Sequence, residues 1–192
     1  MCHDSKIQDK LKEKYFLTDL GPANWLLGIK ITRDLEAQTI SLLQSSYLDS
    51  ILMQFSFTDL KPFAMPMTHL FDFQKTKCPQ TLEESAEMSK VPYREAIGSL
   101  NYCAVAMHPD IAFSVSLLAQ YMENPGRTHW EAVKQIFRYL LGTKDWKLVY
   151  RGTNDGLEGY TDADGSSQEH QHAISGYAFL MNGGAIFWSS KK

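Results

Sequence analysis

Gly159-Tyr160-Thr161-Asp162-Ala163-Asp164-Gly165 places two carboxylates two residues apart at the end of a short strand-like run. Residues i and i+2 of a strand project from the same face, so Asp162 and Asp164 are expected side by side. Close carboxylates repel unless a cation neutralises them. The pair is therefore a candidate for a divalent metal and for chemistry on phosphate. The competing reading is a strand-to-loop turn, because Asp before Gly-Ser-Ser is ordinary turn chemistry. A calcium loop fits poorly: Gly165 comes too early, and the twelfth position from Asp162 is Ala173, where an EF-hand needs a Glu.

Around this motif the pattern is extended. Residues 147–150, 157–161, 175–180 and 185–188 read as strands, and Asn182-Gly183-Gly184 is a tight-hairpin signal between the last two. Residues 151–156, rich in Gly, Asn and Asp, form a candidate domain boundary. Upstream, three helices are expected. Tyr93, Ile97 and Leu100 form the stripe of the first. Ile111, Val115 and Leu118 carry the second until Asn124-Pro125-Gly126 stops it. In the third, Trp130, Val133, Phe137 and Leu140 recur at helical spacing. Thr128-His129-Trp130-Glu131 predicts a capping box with Thr128 as the cap, and Gly142 predicts the stop.

Nearer the start, residues 6–14 read as a charged surface helix. Residues 25–32 read as one strand, 33–38 as a turn and 39–43 as the returning strand of a hairpin. Ser46 with Asp49 resembles a helix start, followed by Leu48, Ile51, Leu52 and Phe55 at helical spacing. Pro62, Pro66, Pro79 and Pro92 mark 61–92 as a long irregular connection.

The 192 residues are 44% hydrophobic and 12% aromatic, which suits a globular chain with a core. The net charge of -3 and pI of about 6.1 give no support for a basic nucleic-acid binder, so any basic surface must be local. Cys2, Cys78 and Cys103 lack paired spacing, which argues against a disulfide framework or zinc finger and fits a reducing compartment. With no apolar leader and no membrane-length apolar run, an intracellular protein, cytoplasmic or nuclear, is expected. Gly-x-Ser-x-Gly, Gly-Lys-Ser and dinucleotide fingerprints are absent, which removes support for hydrolase and nucleotidase readings. His170 and His172 alternate near the Asp pair, but spacing places no further ligand and they read as loop residues. His108 and His129 read as structural. Lys134 and Arg138 share a helix face. They either grip a phosphate backbone, helped by Arg127 and Lys144, or form a solvated surface.

The order of the motifs resembles the polymerase region of copia-type LTR-retrotransposon Pol polyproteins, from about Lys14 to Lys192. The resemblance is carried by Phe16-Leu17-Thr18-Asp19-Leu20-Gly21, Leu26-Leu27-Gly28-Ile29-Lys30-Ile31, Tyr93-Arg94-Glu95-Ala96-Ile97-Gly98-Ser99-Leu100-Asn101-Tyr102 and Pro109-Asp110-Ile111. It continues through His129-Trp130-Glu131-Ala132-Val133-Lys134, Arg138-Tyr139-Leu140, the Asp162 motif, Ser175-Gly176-Tyr177 and Trp188-Ser189-Ser190-Lys191-Lys192. It implies an α+β chain in four parts. Residues 1–60 would be the end of a reverse-transcriptase palm with a primer-grip-like hairpin, and 61–92 an irregular connection. Residues 93–146 would be the helical thumb and connection. Residues 147–192 would open an incomplete ribonuclease H-like domain with its first three antiparallel strands.

By the same resemblance, Trp25, Gly28, Lys134 and Arg138 would meet a template-primer duplex or RNA–DNA hybrid. Asp162 would be the first ligand of a two-magnesium ribonuclease H centre, with Asp164 a secondary group. One Asp cannot hold two ions, and the family's remaining carboxylates are expected in a completing polyprotein segment. The polymerase's Tyr-x-Asp-Asp turn is not here, since no Asp-Asp dipeptide occurs. Gly165 stands where the family often has Trp, and residues 170–173 replace a more basic segment. The expectation is a polyprotein fragment without catalytic competence of its own. The alternatives are a non-catalytic nucleic-acid-binding module or an inert remnant of a decayed element. No membrane partner is expected.

Overall fold

The apolar stripe read from the sequence falls on one helix, α6 (Arg127–Thr143), and the rest of the core packs against it. The computed structural model describes residues 4–18, 20–68, 73, 78–153, 156–164 and 174–191. Val133, Ile136, Phe137 and Leu140, at i, i+3, i+4 and i+7, share one face of α6 and are wholly buried. Against them pack Leu48, Ile51 and Leu52 of α2 (Ser45–Gln54), and Ala96, Ile97 and Leu100 of α4 (Tyr93–Ala106). Ile111 comes from a 3-10 turn (Pro109–Ile111), and Val115 and Leu118 from α5 (Ala112–Ala119). The Phe137 ring lies 5.3 Å from Phe55 and 5.0 Å from Phe57. Two further helices lie outside this core, α1 (Asp4–Lys14) and α3 (Leu82–Met88).

The start of α6 differs from the expected capping box. The cap is Gly126 rather than Thr128. His129, at the third helical position, accepts the Gly126 N–H through Nδ1 at 2.9 Å, while Glu131 pairs with Lys134. The helix also runs through Gly142 to Thr143, because tertiary packing overrides the weak helix preference of one glycine. Ser46 likewise lies inside α2, whose cap position is Gln44. In the proline-rich connection, α3 has a full capping box: Thr81 Oγ1 accepts the Glu84 N–H at 3.2 Å, and Glu84 reaches back to the Thr81 N–H. The connection is thus less irregular than its prolines suggested.

Two antiparallel sheets flank the helices. The first has the order β1-β2-β3-β4, built from β1 (Trp25–Leu26), β2 (Ile29–Asp34), β3 (Thr39–Leu43) and β4 (Leu148–Arg151). The run read as one strand over 25–32 is broken. Leu27 (φ +50°) and Gly28 (φ +78°) make a two-residue turn, so that Leu26 pairs with Ile29. Positive φ at both central residues matches the right-handed strand twist, and Gly28 supplies one of the two without steric penalty. β4 pairs with β3, Ser41 facing Val149, rather than with the strands that follow it. The second sheet has the order β5-β6-β7, from β5 (Glu158–Asp164), β6 (Ile174–Met181) and β7 (Gly184–Lys191). Its β6–β7 turn, Asn182 (φ +54°) and Gly183 (φ +76°), is the hairpin expected from Asn-Gly.

The second sheet is tied to the body at specific atoms. Trp188 Nε1 donates to the Ala104 carbonyl at 2.7 Å. That carbonyl lies in the last turn of α4, where no intrahelical donor remains. Tyr150 of β4 donates to the Ala185 carbonyl at 2.6 Å, and the Arg151 N–H to the Asn182 carbonyl at 2.9 Å. Gly184 lies so close to β4 that an added Cβ would stand 2.6 Å from the Tyr150 ring and 3.1 Å from the Val149 carbonyl. Among the described residues, no helix is long and apolar enough to cross a membrane.

His129 gives the fold a pH dependence. It is wholly buried, stacked on Tyr121 at 4.0 Å between ring centroids, with Nε2 unpartnered. Burial holds its imidazole below the ordinary 6.5; the Gly126 N–H occupies Nδ1. The unfolded chain therefore takes up this proton before the folded one does. The stabilisation is full above about pH 6.5 and drains as pH falls through the lower folded-state value. We expect the urea-stability difference between wild type and His129→Phe to shift toward the variant between about pH 7.5 and pH 5. A constant difference would refute the assignment. Phe137→Ala should cost about 3–5 kcal/mol in the same assay. Gly184→Ala should expose β6–β7 amides to hydrogen exchange while leaving α6 protected.

Candidate functional site

Three places carry the residues singled out in the sequence, and each sits on a different element. The first is the tip of the β1–β2 hairpin. Trp25, Leu26 and Leu27 are exposed there, at 54%, 59% and 76%. Trp25 pairs across the ladder with Lys30, which puts an aromatic and a cationic side chain on one face of the hairpin. The tip is fastened beneath by Tyr102 of α4, whose hydroxyl donates to the Leu27 carbonyl. Sequence reasoning gave Tyr102 no role; it appeared only as the last residue of a family motif.

The second place is the outward face of α6. Arg127, Glu131, Lys134 and Arg138 fall on one stripe, and the two candidate phosphate contacts differ. Lys134 is half-buried and pairs with Glu131 at 2.6 Å, three residues back. Arg138 is turned to structural use: Nε donates to the Lys61 carbonyl at 2.7 Å, and the guanidinium lies 5.1 Å above the Phe63 ring. The Phe63 N–H in turn donates to the Arg138 carbonyl. Arg138 therefore fastens the 61–63 segment to α6. Nearby Lys144 is paired with Asp49 at 3.0 Å. Spacing alone cannot separate these uses, because the carbonyl that engages Arg138 comes from a distant loop.

The third place is β5. Asp162 is exposed and lies opposite Gly176. Asp164 follows in the same strand opposite Ile174, and its side chain lies outside the described residues. Gly165, His170 and His172 also lie outside them. On the Asp162 face, the Tyr160 hydroxyl donates to Glu158 at 3.1 Å. Among the described residues, no three His, Cys, Asp or Glu side chains come together as a metal site. The described residues thus do not fit a two-magnesium centre, and we assign no metal-dependent step to them.

Ionisable groups elsewhere serve the fold. Partial burial alone would raise the Asp110 carboxyl, but His108, 3.6 Å away, and the Tyr139 hydroxyl outweigh it and leave Asp110 below the usual carboxylate range. Tyr139 donates to it at 2.5 Å and joins the α4–α5 corner to α6. Burial pushes the Cys103 thiol up to about 12, which removes it as a nucleophile.

Comparison with known proteins places the chain among transposon polyproteins. The chain is 41% identical over 97% of its length to the "Retrovirus-related Pol polyprotein from transposon TNT 1-94" of Nicotiana tabacum, and it spans 14% of that protein. It is 30% identical, over 97% of its length, to the "Putative transposon Ty5-1 protein" of Saccharomyces cerevisiae, spanning 60% of it. It is also 41% identical, over 55% of its length, to the "Secreted RxLR effector protein 161" of Plasmopara viticola, spanning 75% of that protein. No family model matches the chain, and no solved structure matches it. Similarity along almost the whole chain to these transposon proteins means that it belongs to the Pol polyprotein family of copia-type retrotransposons.

Proposed function

We propose that this chain is the duplex-holding side of a retrotransposon reverse transcriptase, joined to the opening strands of its ribonuclease H. Its ancestral role is RNA-directed DNA synthesis with removal of the RNA strand. Residues 25–43 act as the hairpin at the primer end, and the helices from Tyr93 to Thr143 as the thumb and connection. The observation that carries this reading is the exposed Trp25–Lys30 tip on a helical body. Such a pairing supplies an aromatic surface for a base or sugar and a cation for a phosphate. The similarity to the tobacco polyprotein over 97% of the chain supports it.

On this reading neither reaction belongs to these 192 residues alone. The sequence has no Asp-Asp dipeptide for polymerisation. Asp162 is the first ribonuclease H carboxylate, and its partners come from another polyprotein segment. A non-catalytic nucleic-acid-binding module is the second reading, favoured by the same tip.

The test is binding of the purified chain to an RNA–DNA hybrid at several salt concentrations. Affinity should fall linearly on a log–log plot, and Lys134→Ala should reduce the slope by about one. Affinity unchanged by salt would refute the duplex reading. Arg138→Ala should instead lower stability, through loss of its Lys61 and Phe63 contacts. Magnesium-dependent cleavage of the hybrid that Asp162→Asn abolishes would overturn the assignment of catalysis to a completed polyprotein.

A further inference from the structure

The hairpin tip presents a mechanical problem. β1 has two residues, and a hairpin this short does not hold its own shape in water. Leu27 also occupies the left-handed region at φ +50°, which disfavours an L side chain. Something else must hold the turn. Tyr102 donates its hydroxyl to the Leu27 carbonyl across 75 residues of sequence. Its ring meets Tyr47 of α2 edge to face at 4.8 Å, an arrangement that aromatic quadrupoles favour. The Tyr47 hydroxyl reaches the Ser99 carbonyl on α4 at 3.5 Å. Gly28 packs over Tyr47, where an added Cβ would stand in ordinary contact at 3.7 Å from the tyrosine Cβ, so it is the φ of +78° that resists a side chain at this position. The turn therefore rests on two tyrosines rooted in core helices.

We infer that Tyr102, braced by Tyr47, is a positioning residue for nucleic acid: it fixes the height and aim of the Trp25–Lys30 pair against the sugar-phosphate backbone at a duplex end. The inference rests on the duplex reading given above. Tyr102 touches no nucleic acid itself. It acts by removing freedom from the tip before binding, so that the ordering need not occur on contact.

The experiment uses the full chain and a 20-base-pair RNA–DNA hybrid, a length of about two helical turns, whose primer ends in 4-thiothymidine. Wild type should bind in a salt-dependent way and crosslink within residues 25–30. Tyr102→Phe keeps the ring and should keep the urea midpoint. It should bind roughly three- to tenfold more weakly, the worth of one hydrogen bond, with crosslinks spread beyond the tip. Gly28→Ala disturbs the same turn without altering either tyrosine and should give a similar loss. The double variant should lose little more than either single one, because both act through one element. A Tyr102→Phe or Gly28→Ala chain with wild-type affinity and crosslinks, or losses that simply add, would overturn the inference while leaving the duplex reading intact. A wild-type chain that ignores the hybrid removes both.

Discussion

Burial of the α6 stripe is the interaction on which the rest depends. Side chains such as Phe137 and Leu140 each contribute about 1.5–3 kcal/mol on burial, and they contact three other helices. The attachments around this body are weaker and more specific. Tyr93 to the Leu118 carbonyl, Tyr102 to Leu27, Tyr150 to Ala185 and Trp188 to Ala104 are single hydrogen bonds from aromatic side chains to backbone oxygens. Each contributes about 0.5–1.5 kcal/mol. One of the acceptors, Ala104, lies in the last turn of its helix, where carbonyls lack helical donors, whereas the Leu118 carbonyl also accepts the Tyr121 N–H at 3.1 Å. The aromatic group buries its ring and satisfies an oxygen at the same time. A stable helical body thus carries two sheets on a small number of directional contacts.

The helical body was legible because its signal is local and repeated. Val133, Phe137 and Leu140 lie on the predicted face, and the stripe of Tyr93, Ile97 and Leu100 became the buried side of α4. Asn182-Gly183 was legible because Asn and Gly tolerate positive φ, and few other pairs do. Leu27-Gly28 hid because leucine in that region runs against its intrinsic preference; contacts from Tyr102 and Tyr47, distant in sequence, support the turn. His129 hid because an imidazole at the third helical position can act as donor or acceptor, and sequence does not say which. The pairing of β4 with β3 joins segments separated by most of the helical body, which no local pattern encodes. α3 was the opposite case: Thr81 and Glu84 spelled out a capping box, but the surrounding prolines masked it.

The candidate site divides along the same line. The strand position of Asp162 was legible from alternation, whereas the exposed Trp25 opposite Lys30 was not: a single strand over 25–32 puts those two residues on opposite faces, and only the Leu27-Gly28 turn brings them together. Nor was the employment of the α6 cations. Lys134 and Arg138 look equivalent at i and i+4, yet one makes a local ion pair of small worth and the other closes a loop onto a helix. Net charge had already placed any basic surface under doubt. Arg138 is held by the Lys61 carbonyl and the Phe63 ring, and Lys144, just past the end of α6, pairs with Asp49 at the surface, so neither is a free outward cation. If the chain holds a duplex as proposed, shape and aromatic contact at the hairpin tip carry more of that recognition than phosphate neutralisation does.

This shifts attention from charge to rigidity. The body derives its stability from buried helices, whereas the residues with chemical potential, Trp25 to Lys30 and Asp162, sit on the two peripheral sheets. A group on a loosely held strand samples many positions, and each must be ordered before it can work. The contacts at Leu27, Ala104 and Ala185 reduce that sampling without burying the groups they support. The same design leaves Asp162 exposed at a strand edge with its backbone fixed by the β6 ladder. Among the described residues no metal-ligand cluster surrounds this carboxylate, so the proposed hydrolytic use would require other carboxylates brought to the same face. Conversely, the hairpin tip already combines its indole, its ammonium and its support. Of the two peripheral places, the hairpin is therefore the one where, among the described residues, exposed side chains and a support from the helical body occur together.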